Sequence, residues 1–426
     1  DASWQGLKFK AIARLDREYK TNYLEDLEDL RSTGALPTSN GKSITDGYNN
    51  FDFREFWIEA PIGDRVTVKF GRQQLVWGET DFFQALDLVH GYDLSWRLFL
   101  EGENEEWRKP LILLSTKIRI PEYNGLIAAY VRPGLDRCED IGNTYDYGGG
   151  RWFFAPYRGF DALEINRPNC NTKGADQDKW TYGIRWQGEA YGINYSVAYL
   201  KAAAADPVLN PNSPGRYYKG NAPTGTGSLS VGPGGAPVPF TASDILHPNI
   251  DIVGFTISGY SDTLDAVLST EVAYVIDQPY NIGLGQFSAA GFFGGTASGI
   301  SSGIGLDGII EKDVLITMLR ADKNLKFEDL LGTTRPSFSS IQIFNRQIIN
   351  FKKSDEIARL FFYGSRRAEF DTILTAFTVL NYRNDEINPG FAIGFDLLRG
   401  GGFAIPSVSM TFGDKWLAKL EADIFW

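Results

Sequence analysis

Residues 54–97 read REFWIEAPIGDRVTVKFGRQQLVWGETDFFQALDLVHGYDLSWR. The tetrapeptide at 61–64 contains Pro, Gly and Asp, a turn composition. After it, apolar and polar residues alternate through Val66–Phe70, the period-two signal of a strand with two different faces. Past Gly78 the alternation stops, and a long acidic and aromatic stretch follows. A short turn at one end of a hairpin and a long loop at the other are typical of a transmembrane β-barrel.

The same unit recurs from Leu7 to Trp426. Alternating runs lie around 7–15, 54–60, 66–70, 112–120, 127–131, 180–187, 193–199, 253–257, 264–276, 312–323, 337–350, 374–380, 391–397, 406–412 and 416–426. The faces of the runs at 312–323 and 337–350 cannot be assigned from their pattern. Because bacterial single-chain barrels have even strand counts, the sequence predicts an all-β, antiparallel, up-and-down transmembrane barrel of 16 strands, with 14 as the alternative. We expect the miscounted strand to lie between 277 and 370.

The whole chain, 1–426, is predicted to form this one barrel. Long loops at 20–50, 78–110, 133–178 and 202–248 fall on one side, which we expect to be extracellular, with short turns on the periplasmic side. Loops of this length are uncommon in a compact soluble domain. Segment 78–110 is expected to cover or enter the barrel mouth. Its apolar residues at 82, 83, 86 and 89 have roughly helical spacing, which indicates a short amphipathic helix.

Composition excludes several classes of function. The net charge of −11 argues against a nucleic-acid partner. No apolar run is long enough for a transmembrane helix. The two histidines, His90 and His247, lie in predicted loops without a neighbouring nucleophile, so catalysis is not expected, and nothing calls for a cofactor. The chain begins at Asp1, and we take it as a mature form from which an export signal was removed.

Both cysteines, Cys138 and Cys170, fall in one predicted loop. In an oxidising compartment they are predicted to form a disulfide, with two free thiols as the alternative. The same loop contains Asp136, Asp140 and Asp146. Their spacing matches no calcium-binding motif, so a solvated acidic loop is favoured and no metal site is predicted.

Charged residues of the strands lie opposite the apolar faces, where a wet interior accommodates them better than lipid does. The candidates for the pore wall are Arg14, Asp16, Lys69, Lys117, Arg119, Arg185 and Glu271. Two interpretations stay open: a structural network of ion pairs, or a path for a charged solute. Near the mouth, Phe70 and Arg72 share a parity, so either the lipid-facing band ends at Gly71 or Gly71 marks a bulge.

The run Arg72–Glu79, RQQLVWGE, followed by Asp81 and Asp87, resembles a proteobacterial outer-membrane family catalogued only as a domain of unknown function. The stretches Ser269–Tyr274 with Asp277–Pro279, Arg320–Asp322 and Pro406–Trp426 are similar to the same family. The resemblance implies a porin-like outer-membrane barrel whose relatives are associated with movement of hydrophobic compounds such as sterols, aromatic hydrocarbons or lipids. It carries over Arg72, Gln73, Trp77, Gly78, Asp81 and Asp87 as a motif, with no catalytic residue.

Two functions are therefore considered. The first is a passive channel for a small hydrophobic or amphipathic solute, with a constriction at Arg72, Gln73, Trp77, Asp81 and Asp87. The second is a barrel that does not transport, or that serves export, and docks envelope partners through its long loops. In both cases the expected surroundings are outer-membrane lipid and lipopolysaccharide. Assembly into a homo-oligomer stays open, because no interface signature is visible.

Overall fold

The structure is a computed structural model. It describes residues 2–4, 6–17, 19, 22, 25–26, 29, 50–78, 85–91, 108–134, 180–204, 208–209, 245–246, 248–282, 308–358, 366–413 and 415–426. The predicted loops at 20–50 and 133–178, including Cys138 and Cys170, therefore lie almost wholly outside the described residues, and so does Asp81.

Antiparallel β-strands make up nearly all of the regular structure in these ranges. The first strands are β1 (Ala2–Trp4), β2 (Leu7–Asp16), β3 (Asn50–Ile62), β4 (Val66–Gln73), β5 (Leu111–Ile120), β6 (Gly125–Arg132), β7 (Thr181–Ala190), β8 (Ile193–Ala203), β9 (Val208–Leu209) and β10 (Ile245–Leu246). The others are β11 (Asn249–Ser261), β12 (Ala266–Ile282), β13 (Gly308–Leu325), β14 (Ser337–Ile348), β15 (Phe370–Val379), β16 (Ile387–Asp396), β17 (Gly402–Phe412), β18 (Trp416–Glu421) and β19 (Ile424–Phe425). A one-turn α-helix, α1 (Glu328–Leu331), lies between β13 and β14, and 3₁₀ turns lie at Pro121–Tyr123 and Lys353–Asp355.

From β1 to β8 and from β11 to β18, each strand pairs with the next strand in the chain, so the sheet is an up-and-down meander. The pairing β8–β11 continues this order across the 202–248 segment, where β9 and β10 form a separate small hairpin. This is the topology of an up-and-down barrel. The predicted fold class, all-β and antiparallel with short turns alternating with long connections, is confirmed.

The predicted number of strands is also confirmed, and within the described residues the uncounted strand lies outside the interval 277–370. The sheet contains 17 strand segments. Both β18 and β19 pair with β17, and counting them as one interrupted strand gives 16. Among the described residues between 277 and 370, β13 and β14 stand where the sequence placed them. The strand that the sequence missed is β1, which pairs with the start of β2 and is too short for alternation to reveal.

The two faces of the sheet differ sharply, as β11 illustrates. Val253 and Phe255 point to the exposed outer face, whereas Ile252 and Thr256 point to the opposite face and are buried. Outer-face residues remain apolar around the sheet, including Phe9, Phe56, Phe70, Ile112, Ile184, Val197, Leu268, Leu319, Ile341, Phe391 and Leu420. A monomer in water rarely exposes so much contiguous apolar surface. We call the opposite, largely covered face the inner face.

Tyrosine and tryptophan mark both ends of the apolar outer band. On this face, Tyr182, Tyr199 and Tyr274 lie at the end with the long connections, and Trp416 lies at the end with the short turns. The phenol of Tyr199 donates to Asp251 Oδ1 at 2.6 Å, and that of Tyr274 donates to Asp313 Oδ2 at 2.6 Å. Aromatic residues with one apolar and one wet side are typical of the two borders of a membrane barrel.

The bulge near the mouth lies in β3 and not at Gly71. Ile12 pairs with Glu55 and Ala13 pairs with Phe53, so Arg54 is the extra residue of β3. Gly71 keeps its register between Trp57 and Leu113. Its φ of +128° is one that L side chains rarely adopt, and an added Cβ would overlap the carbonyl of Phe56. Gly71 is therefore required by close backbone approach.

The segment after β4 contains no helix within its described part. Residues 85–91 form bends and irregular chain. The backbone N–H of Leu86 donates to Glu271 of β12, and within the segment the N–H of Leu88 donates to the carbonyl of Leu86 at 2.8 Å. Phe82 and Phe83, on which the helical spacing also depended, lie outside the described residues. Within the described chain, no helix is both long and apolar enough to cross a membrane.

Candidate functional site

The chain between β4 and β5 folds back against the inner face of the sheet. We call residues 74–78 and 85–91 the inner segment. Its apolar side chains, Trp77, Ala85, Leu86 and Val89, are buried together with inner-face residues of β5, β6, β8 and β11–β15. Apolar burial is the main favourable term for holding such a segment in place. The inner segment thus covers part of the inner face of the sheet.

Small inner-face residues make room for this segment. Ala198, Gly254 and Ala273 are directly paired across β8, β11 and β12. The Leu86 side chain lies over Gly254 so closely that an added Cβ would overlap it. Trp77 packs in the same way over Gly183, where a Cβ would stand 3.0 Å from its ring. These residues form the seat of the inner segment.

An aromatic contact fixes the orientation of Trp77. Its ring meets the ring of Tyr130 edge to face, with centroids 5.4 Å apart and an interplanar angle of 71°. Such pairs contribute about 0.5–1.5 kcal/mol beyond the buried area. Tyr130 is itself directly paired with Gly183, so β6 and β7 together hold the indole.

Glu271 of β12 is the polar anchor opposite Leu86. Its carboxylate accepts the backbone N–H of Leu86 at 3.1 Å, and the side chain has no exposed surface. Gly78 lies against the same carboxylate, because an added Cβ there would stand 3.1 Å from Glu271 Oε2 and 3.0 Å from Asp87. The Trp-Gly pair of the motif therefore combines a bulky anchor with a residue that allows close approach.

A buried ion pair closes the segment at its other end. Arg108 Nε donates to Asp87 Oδ2 at 2.6 Å, with side chains 4% and 1% exposed. Arg54, the bulged residue of β3, donates through Nη2 to the backbone carbonyl of Arg108 at 2.9 Å. Removal of one partner from a buried pair costs about 3–5 kcal/mol, since it leaves the other charge uncompensated.

The ring of His90 connects the beginning and the end of the chain between β4 and β5. Its Nε2 accepts the backbone N–H of Leu75 at 2.8 Å, and its Nδ1 donates to the carbonyl of Lys109 at 2.9 Å. This arrangement requires the neutral ring. Burial lowers the pKa of His90 to about 4, against the opposing attraction of Asp87. The histidine is thus a packed structural residue of the inner segment.

Acidification is expected to loosen the inner segment through His90. The pKa of His90 falls from 6.5 in the unfolded chain to about 4 in the folded protein. The contribution of neutral His90 to the stability of the docked inner segment is therefore complete above pH 6.5 and is lost as the pH falls to 4. The total loss is roughly 3 kcal/mol. Ion conductance of the reconstituted chain at pH 7.5 and 4.5 measures the effect. We expect a rise at pH 4.5 in the wild type and a smaller change in His90→Asn; the same change in both would contradict the role of His90.

Gln73 ends β4 and leads into the segment. It is fully buried, donates through Nε2 to the carbonyl of Leu113 at 3.0 Å and accepts from Ser115 Oγ at 2.8 Å. Gln73 is also directly paired with Leu111. The chain between β4 and β5 thus leaves the sheet at Gln73 and returns to it at the neighbouring residue Leu111.

On the other side of the seat, towards the short turns, lies a cavity of about 740 Å³. We call it the turn-end cavity. Its polar wall includes Thr67, Lys117, Arg119, Arg185, Glu189 and Asn194. Arg185 pairs with Ala198, and Ala198 pairs with Gly254, on which Leu86 rests. The cavity and the inner segment therefore lie next to each other along the inner face.

The predicted pore residues fall into three groups. Gln73, Trp77, Asp87 and Glu271 are buried contacts of the inner segment, and Lys117, Arg119 and Arg185 line the turn-end cavity. The third group, Arg14, Lys69 and Arg72, lies nearer β3. Arg14 is half-buried. Lys69 Nζ lies 4.1 Å from the centre of the Trp57 ring, and Arg72 Nη2 lies 3.5 Å from Asp52 Oδ1. Asp81 and the side chain of Asp16 lie outside the described residues, and so do Cys138 and Cys170.

Several residues of the site were missed by sequence reasoning. Arg108 and Arg54 were not singled out, because the partner of Asp87 is 21 residues away across an irregular loop. A usable signal did exist for the seat: Ala198, Gly254 and Ala273 are small residues at inner positions of consecutive strands. Among the described residues, no group of three metal-ligating side chains comes together.

The described geometry defines a class of protein: an up-and-down β-sheet with an apolar outer face and a chain segment folded onto its inner face. The family model described as "Protein of unknown function (DUF1302)" matches residues 2–395. The chain belongs to this family.

Comparison with solved structures shows only distant likeness. A porin refined at 1.8 Å resolution is 9% identical, with 87% of this chain and 81% of that chain covered and a TM-score of 0.34. The outer-membrane channel DcaP of Acinetobacter baumannii is 8% identical, with 92% and 78% covered and a TM-score of 0.37. A comparison with curated proteins found no match. These scores are too low to support an argument about function, so the two solved structures carry no weight in the proposals below.

Proposed function

We propose that this protein is a porin-like channel of a bacterial outer membrane that admits a small hydrophobic or amphipathic solute, with the inner segment as its constriction. The observation that carries the proposal is the packing of the inner segment onto the inner face, directly beside the polar turn-end cavity. Because the inner segment is held by a few specific contacts and is not a strand of the sheet, it would narrow the channel without forming its wall. The hydrophobic class of the solute comes from the family resemblance.

Placement in a membrane is supported by the outer face. On β11 the apolar band lies between Asp251, near one end of the strand, and Tyr260, near the other end. Ten residues of a tilted strand cover about 25 Å, which is the height of the apolar band of a membrane barrel. We therefore assign the lipid of the outer membrane, with its lipopolysaccharide, as the surroundings of this face.

The test is uptake into liposomes that contain the purified full chain. Its probe is 2-naphthyl glucoside, a neutral amphipathic solute that crosses lipid slowly. Uptake above that of protein-free liposomes is expected. A matched variant replaces residues 75–109 by a four-residue Gly/Ser turn, which the direct pairing of Gln73 with Leu111 permits.

We expect this variant to raise the rate of uptake by about tenfold, which corresponds to a barrier lowered by about 1.4 kcal/mol. The absence of uptake in both proteins, with the β-content of each intact, would contradict the channel. That result would favour the alternative, a barrel that docks envelope partners through its loops.

A further inference from the structure

A second apolar surface lies on the inner face of β14–β17, near the short turns. Its aromatic members are Phe338 and Phe377, which alternation along β14 and β15 places on the same face as the buried Gln342 and Thr375. Direct cross-strand pairing continues the surface through Val379, Ala392 and Ile405. We call Phe338, Phe377 and these three residues the aromatic patch.

The aromatic patch is uncovered, whereas apolar side chains further along the same face are covered. Met318, Phe344 and Ile373 belong to the buried cluster around the inner segment and are at most 5% exposed. Phe338 and Val379 are 39% and 38% exposed. The inner face of a membrane barrel is separated from lipid. A solute in the lumen that covers these side chains with its own apolar part therefore removes them from water, which is favourable.

The two rings of the aromatic patch lie side by side. The ring centroids of Phe338 and Phe377 are 5.7 Å apart, with an interplanar angle of 51°. Aromatic rings attract one another at centroid distances of about 4.5–7 Å in tilted or offset arrangements. A third ring placed on the patch can contact both phenyl rings in this way, so the geometry favours a flat aromatic ring as the group bound there.

Polar side chains border the aromatic patch on the side of the inner segment. Thr375 lies two residues from Phe377 on the same face and is 1% exposed. Its Oγ1 has no hydrogen-bond partner within the part of the chain that the structure describes. Gln342 of β14 pairs directly with Thr375 and is equally buried. Because a buried hydroxyl without a partner is unfavourable, a polar substituent on the bound ring would be stabilised at this border.

The wall opposite the aromatic patch is polar. In the order of the sheet, β14 and β15 lie eight positions from β4 and β5, so a barrel of 16 strands places these two pairs across the lumen from each other. On β4 and β5, Thr67, Lys117 and Arg119 line the turn-end cavity. Near the short turns, an apolar wall of the channel thus faces a polar wall.

We infer that the aromatic patch is a binding site for the flat aromatic ring of an amphipathic solute, whose polar group is directed towards the turn-end cavity. The inference rests on the proposed channel function and deepens it by naming the ring as the recognised group and by placing it between the inner segment and the short turns. A solute in this orientation meets the apolar wall with its ring and the polar wall with its hydrophilic part. Both contacts are favourable without any charge on the solute.

Block of the ion current through the full chain in a planar bilayer tests the inference. The probe is 2-naphthyl glucoside, and methyl glucoside, which has no ring system, is the comparison; each is added to both sides. We expect 2-naphthyl glucoside to block reversibly and methyl glucoside to require an about tenfold higher concentration. Phe338→Ala combined with Phe377→Ala should raise the half-blocking concentration of 2-naphthyl glucoside about tenfold, because each lost ring contact contributes a factor of about two to ten. Phe338→Ala alone, at an exposed position, should raise it about threefold and serves if the double variant does not fold.

The matched control is Phe391→Ala on β16. Phe391 is 44% exposed on the outer face and pairs directly with Thr378 of β15, so its substitution removes a phenyl ring from the same strands on the other side of the sheet. The half-blocking concentration should stay at the wild-type value. Equal block by the two glucosides, or a half-blocking concentration unchanged in the Phe338 and Phe377 variants, would overturn the inference while leaving the channel intact. A folded wild-type protein that carries no ion current would overturn the proposed function and the inference with it.

Discussion

Asp87→Asn is expected to release the inner segment from its seat and to increase conductance strongly. The substitution keeps the shape of the side chain but removes the charge that compensates Arg108, which is 4% exposed. Breaking a buried pair in this way costs about 3–5 kcal/mol. Since Arg54 holds the backbone of Arg108 in place, the guanidinium remains in the protein interior without the Asp87 charge, and we expect the inner segment to be displaced.

The measurement is the fraction of time that single channels in a planar bilayer spend at the higher conductance level. We expect that fraction to rise by more than a hundredfold, because a loss of about 3 kcal/mol in the docking free energy changes the equilibrium by that factor. Replacing both partners, Asp87→Leu with Arg108→Leu, removes both charges and should restore much of the docked state. An Asp87→Asn protein with wild-type conductance would show that the pair does not hold the segment.

Gly254→Val is the second substitution for which we expect a large effect. An added Cβ at Gly254 overlaps the Leu86 side chain, and the neighbouring Ala198 and Ala273 belong to paired strands that cannot move apart. Overpacking of a well-filled site costs about 1–3 kcal/mol. The strands keep their hydrogen bonds, so the cost should fall on the docking of the inner segment.

Gly259→Val on the same strand is the matched control. Its nearest neighbour is a backbone oxygen at 3.5 Å, an ordinary contact, so it tests the effect of valine in β11 without a collision. We expect the higher conductance level to become about tenfold more frequent in Gly254→Val and to stay unchanged in Gly259→Val. Leu86→Ala in the Gly254→Val background should reduce the effect, because it removes the colliding group. Equal conductance of the two valine variants would contradict the seat.

Alternation along strands was sufficient to predict most of the fold. Residues such as Val253 and Phe255 meet one environment and their neighbours another, and this periodicity depends only on local sequence. The three-residue β1 is too short to show it. The faces of β13 and β14 could not be assigned because Val314, Ile316 and Met318 are apolar on the inner face as well. An inner face with its own apolar cluster contradicts the simple rule of a polar lumen.

The site was less accessible to sequence reasoning, for physical reasons. The motif marked Gln73, Trp77 and Asp87 as notable, but their contacts are made to residues distant in sequence, such as Glu271 and Arg108. Such ion pairs and packing contacts depend on how the chain between β4 and β5 folds back onto the sheet. The local sequence pattern does not determine this path. The position of Lys117 and Arg185 in the wall of the turn-end cavity likewise arises from strand register, because both residues pair with Ala128.

The central claim is that the inner segment constricts the channel, and single-channel conductance tests it most directly. Wild type is compared with the variant in which a four-residue turn replaces residues 75–109, at the same salt concentration and pH. Loss of the segment removes Trp77, Leu86 and Val89 from the interior while leaving the β4–β5 pairing intact. We predict a conductance about tenfold higher in the variant. Equal conductance of the two proteins would show that the segment does not lie in the path.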